Sequence, residues 1–89
     1  MPRYVIERNL PGAGTLDPQQ LRDISKKSND VLAGMSQIEW VESYVTDDKL
    51  FCVYDAAGPQ LIEAHARDGG FPCDAISEVK TMISPQTGR

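Results

Sequence analysis

Between Pro2 and Arg8 the side chains alternate, with Tyr4 and Ile6 on one side and Val5 on the other. That period of two predicts a strand. Pro11-Gly12-Ala13-Gly14 ends the alternation and reads as a flexible loop. It lacks the Lys-Ser/Thr pair of a phosphate-binding loop. From Leu21 the spacing becomes helical: Leu21, Ile24, Val31, Leu32 and Met35 recur on one stripe, with Ser28 among them. Asp17 is a good N-cap, Pro18 suits the first helical position, and Gln20 stands where a capping-box partner belongs. Asp23 and Lys27 stand four apart on the outer face, and Gly34 is a plausible left-handed terminator.

Alternation returns from about Ile38 to Thr46, breaks at Asp47-Asp48, and resumes from about Lys49 to Asp55. So short a connection requires an antiparallel hairpin. A second helix opens at Gly58-Pro59, covers Gln60 to Arg67 or Asp68, and stops at Gly69-Gly70. A last strand runs from about Ala75 to Ile83, and the polar tail after it frays. The order is β-α-β-β-α-β, two βαβ units joined by a hairpin. Right-handed crossovers put both helices on one face of a four-stranded antiparallel sheet. The expected fold is a single ferredoxin-like α+β domain over residues 1–84, followed by a flexible tail at 85–89.

Alternation also sorts the strand residues by face. Val41, Ser43 and Val45 oppose Trp40, Glu42 and Tyr44, and Val79, Thr81 and Ile83 oppose Glu78, Lys80 and Met82. The small β-branched sets suit the helix side. The others, with Tyr4, Ile6 and Arg8, are expected on the open face. The third strand is ambiguous: a two-residue turn sets Phe51 and Val53 beside Tyr44, a three-residue turn sets Leu50, Cys52 and Tyr54 there. An open face bearing aromatics predicts a homodimer with sheets packed face to face, and a cleft between the sheets lined by Tyr4, Trp40, Glu42, Tyr44 and Glu78. Glu42 and Glu78 there either pair with Arg8 and Lys80 or act as acid and base if desolvated.

Composition narrows the partners. The 89 residues carry a net charge of −4, with no basic run longer than Lys26-Lys27, which argues against nucleic acid and anionic membrane as partners. No apolar run is long enough to cross a bilayer. Charges at Arg3, Glu7 and Arg8 interrupt what a signal peptide would keep apolar, so a cytoplasmic location is expected, with Cys52 and Cys73 as reduced thiols.

Candidate chemistry is sparse. His65, the one histidine, shares a helix stripe with Leu61, Ile62 and Ala66, which suits packing. As a metal ligand it suits nickel, copper or zinc, but one imidazole is too few for a tight site, and Glu63, Asp68, Cys73, Asp74 or a second subunit could add donors. No paired-His, HExxH or CxxC motif occurs. Cys73 follows Gly-Phe-Pro as a loop thiol with no neighbouring histidine in sequence. Met1-Pro2 would expose a proline amine, the base of tautomerases, only if Met1 were removed.

Trp40-Val41-Glu42-Ser43-Tyr44-Val45-Thr46-Asp47-Asp48-Lys49, Cys52-Val53-Tyr54, Glu63-Ala64-His65-Ala66-Arg67 and Gly70-Phe71-Pro72 together resemble the small bacterial nickel-binding, ferredoxin-like proteins, most members of which are classed as a domain of unknown function. The resemblance extends to the opening Met-Pro-Arg-Tyr-Val-Ile-Glu-Arg and to Leu-Pro-Gly-Ala-Gly. It implies a subunit of the dimeric α+β barrel group, with a nickel ion bound at the dimer surface for sequestration or detoxification. His65 lies in the matching Glu-Ala-His-Ala-Arg segment. The expectation is a non-enzymatic nickel-binding homodimer with His65, Asp68 and Cys73 as candidate metal ligands. The alternative is a dimeric-barrel enzyme or small-molecule-binding protein with its site between the sheets.

Overall fold

A computed structural model describes all 89 residues, Met1–Arg89. The elements are β1 (Arg3–Asn9), α1 (Pro18–Leu32), β2 (Ile38–Val45), β3 (Lys49–Ala56), α2 (Pro59–Gly69) and β4 (Ala75–Glu78), with single 3-10 turns at Ala13–Thr15 and Pro85–Gly88. The sheet runs β2-β3-β1-β4 with every neighbouring pair antiparallel. This is the ferredoxin-like α+β arrangement read from the sequence.

Local chemistry explains the element ends. The Asp17 carboxylate accepts from the Gln20 N–H at 2.8 Å, and the Gln20 side chain accepts from the Asp17 N–H at 2.9 Å. Two orphan donors of the first turn are thereby satisfied, and Pro18 has no N–H to satisfy. Gly70, at φ 69°, is the left-handed cap of α2. Gly34 plays no such part: α1 ends through a right-handed Ala33, and the left-handed residue before β2 is Gln37, at φ 61°. The Gly-rich loop is docked rather than loose. Gly12 N–H donates to the Asp48 carboxylate at 3.0 Å and Gly14 N–H to the Asp47 carbonyl at 3.0 Å. A Cβ on Gly14 would lie 3.0 Å from the Asp47 Cα, so the close approach requires glycine. The acidic turn is therefore an anchor for this loop.

Register decides which face is covered. Asp47-Asp48 form a two-residue turn, and Tyr44 pairs with Phe51 and Val45 with Leu50. A β-bulge between Trp40 and Glu42 leaves Val41 without a cross-strand partner and 41% exposed. The bulge changes the parity of β2, so Trp40 pairs with Tyr54 on the helix side, while Glu42 and Tyr44 stay on the open side. Tyr4 and Ile6 also lie under the helices, in a core with Ile38, Cys52, Tyr54, Ala56 and Ile62. The expectation that Tyr4, Ile6, Arg8 and Trp40 face outward is thus overturned. β4 ends at Glu78, which pairs with Tyr4, and Met82 and Ile83 lie beyond the strand, 80% and 77% exposed.

Candidate functional site

The helix side of the sheet carries an unusual charge. Arg8 is the last helix-facing residue of β1 before the chain turns, and it is 4% exposed. Its guanidinium donates to the Pro72 carbonyl and, at 3.4 Å, to the Tyr54 hydroxyl. It also lies 5.9 Å from the Tyr54 ring centre and 5.7 Å from that of Phe71. No carboxylate pairs with it: the chain's salt bridges all involve other residues. Burial works against the Arg8 charge, but Tyr54 and Cys52 more than offset it and hold the group above its ordinary value. Burial likewise raises the Tyr54 phenol, against the opposing pull of Arg8.

Arg8 lines a half-open cleft of about 220 Å³ between α1 and the sheet. α1 packs chiefly on α2, and α2 on β3, so α1 leaves space over the β2–β3 end of the sheet. Leu21 and Ile24 of α1, Trp40 and Val45 of β2, and Leu50 of β3 form the apolar walls. Ser25, Ser28, Ser43, Cys52 and Tyr54 add polar groups, and Phe71 lies at the Arg8 end. The Trp40 indole N–H donates to the Ser43 hydroxyl at 2.9 Å, which fixes the indole over the sheet.

His65 is fully buried behind this cleft. Its Nε2 lies 3.2 Å from the Ser28 hydroxyl, and its ring sits 5.5 Å from Tyr54 and 5.3 Å from Phe71, centre to centre. Burial holds its pKa below the ordinary value, with the Ser28 backbone opposing. Its Nδ1 is buried with no hydrogen-bond partner. Gly69 makes room for this packing: a Cβ there would fall 2.2 Å from the Phe71 ring.

The residues singled out from sequence do not gather at one place. Tyr4, Trp40 and Glu78 register on the helix side, and Glu42 and Tyr44 lie on the open face. Glu78 pairs with Lys80. Asp68 is exposed beside Arg67, and Cys73 is a half-buried free thiol in a shallow groove with Glu63 and Asp74. Burial raises the Cys73 thiol, which lowers its thiolate fraction and its value as a nucleophile. No group of three or more His, Cys, Asp or Glu side chains in the chain is placed to hold a metal ion. Arg8, expected from sequence beside Glu42 and Glu78 on the open face, instead lines the cleft on the helix side, together with Ser28, which was expected only as part of a helix stripe. The signal available for Ser28 was its position on the apolar stripe of α1.

Residues 4–79 match the family model described as nickel responsive protein SCO4226-like. The chain belongs to that family. The fold agrees: the crystal structure of SCO4226 from Streptomyces coelicolor A3(2) superposes with a TM-score of 0.77, covering 91% of this chain and 99% of that one at 12% identity. At that identity the likeness speaks to the fold. A search of curated proteins finds no match. No helix of the chain is long and apolar enough to cross a membrane.

Proposed function

We propose that this family member is a cytoplasmic nickel-binding protein that works as a homodimer, in sequestration and not in catalysis. The family match over residues 4–79 carries the reading. Because one chain brings no three donors together, the site is completed where two copies meet. The open face of the sheet supports such a meeting. Val5, Phe51 and Val53 lie half-buried there, beside the 55% exposed Tyr44, and are flanked by the Arg3–Asp55 and Glu7–Lys49 ion pairs. Glu39 and Glu42 project from the same face of edge strand β2 and form no salt bridge within the chain. Two copies would double these carboxylates, and a divalent ion would relieve their repulsion. Nickel outranks manganese and iron at such oxygen sites in the usual divalent order.

The test is calorimetric titration of tag-free protein with nickel chloride, beside light scattering with and without the metal. Saturable binding by a dimer, weakened in Glu39→Gln/Glu42→Gln and retained in His65→Asn, is the expected result. A monomer with no saturable binding would defeat the reading. Loss of binding in a folded His65→Asn would return the metal to the imidazole.

A further inference from the structure

The cleft over Arg8 is independent of any metal reading. We infer that it is a binding site for a small organic carboxylate, whose acid group meets the Arg8 guanidinium and whose apolar body lies between α1 and the sheet. Three observations carry this. The first is charge: a buried cation with no counter-ion is costly, and a bound anion removes that cost. A guanidinium offers five N–H donors in a planar fork, and the Pro72 carbonyl and, at 3.4 Å, the Tyr54 hydroxyl occupy only two of them and carry no negative charge.

The second observation is the wall chemistry. Leu21, Ile24, Trp40, Val45 and Leu50 offer apolar surface, and Trp40 is pinned by Ser43, so the aromatic wall is formed before any ligand arrives. The third is size. A half-open volume of about 220 Å³ has room for an aryl or medium-chain alkyl acid. The same facts select a carboxylate over a phosphate. A monoanion is neutralised by a single guanidinium. A phosphate dianion would carry an uncompensated charge into apolar walls.

The probes are 3-phenylpropionate and octanoate, with 3-phenylpropanol and octanol as uncharged partners of the same skeletons. Titrations are run in chelator, so that nickel plays no part. Binding is read by the fluorescence of Trp40, the one tryptophan of the chain, and by calorimetry. Charge-assisted hydrogen bonds make the acids bind roughly ten- to a hundred-fold tighter than the alcohols. Arg8→Met abolishes that preference and leaves the alcohol affinity in place. Ile24→Trp, read by calorimetry alone because it adds a second indole, fills the cleft without touching Arg8 and abolishes binding of both. Equal affinity for acid and alcohol, no binding of either acid, or undiminished acid binding in Ile24→Trp would each overturn the site, the last even if Arg8→Met fails to fold.

Discussion

Deleting Val41 isolates the feature that most shapes the sheet. In the structure Val41 is the extra residue of a bulge, with Trp40 paired to Tyr54 on one side and Glu42 to Val53 on the other. Its removal leaves a regular strand with every other side chain on its present face. The one contact at risk is the Trp40 N–H to Ser43 hydroxyl bond, so the expected loss is about 1 kcal/mol or less. Were Val41 an ordinary strand residue, its deletion would expel Ile38, now 8% exposed, and the half-buried Trp40 from the core. Losing that burial would cost about 3–5 kcal/mol, a large share of the ~5–15 kcal/mol that holds a small domain together. Urea unfolding monitored by Trp40 emission and by far-ultraviolet circular dichroism separates the outcomes. A midpoint near that of wild type with unshifted native emission supports the bulge. A loss of 3 kcal/mol or more, or native emission moved to that of a water-exposed indole, refutes the register.

Ile62→Ala removes a fully buried side chain between α2 and the sheet and is expected to cost about 2–5 kcal/mol by thermal unfolding, near the limit of folding. Asp17→Ala breaks the capping box of α1 and is expected to cost about 0.5–2 kcal/mol, with Asp17→Asn retaining most of it. His65 is harder to protonate in the folded chain than in the unfolded one, because burial holds its pKa below the ordinary 6.5. The unfolded state then binds more protons, so stability is full above about pH 6.5 and falls as the pH drops below it. Denaturation midpoints between pH 7.5 and 5 should decline in wild type and decline less in His65→Asn; equal slopes would remove the histidine from the account. Asp55, held below the ordinary carboxylate value by its hydrogen bond to Arg3, is expected to contribute a separate loss only under more acidic conditions.

Local pattern carries a long way in this chain. The capping box at Asp17 and Gln20, the place of the hairpin turn at Asp47-Asp48, the proline starts of both helices and the Gly69-Gly70 stop are legible because each depends on residues a few positions apart, whereas the two-residue length of that turn is fixed only by the strand register. The order of elements then follows from periodicity, and the ferredoxin-like topology from the handedness of the crossovers. The candidate site was far less legible. The helix stripe of His65 reads as packing or as a metal ligand, and its partners emerge only when Ser28, 37 positions away, and the rings of Tyr54 and Phe71 are set around it.

Arg8 is the clearest case of a decision that only packing could make. Alternation places it with Tyr4 and Ile6, and a charge in that set argues for the wet face. The structure instead buries all three, because the Pro72 carbonyl and Tyr54 hydroxyl receive the guanidinium and the two aromatic rings flank it. Trp40 changes face for a different reason: one unpaired residue inverts strand parity, and no local propensity marks Val41 as that residue. The amino-acid pattern by itself determined which elements form and how they connect, since those are short-range matters of spacing, capping and turn chemistry. Which sheet face is covered, where the charge is hidden and where the cleft opens were decided by contacts between residues far apart in the chain.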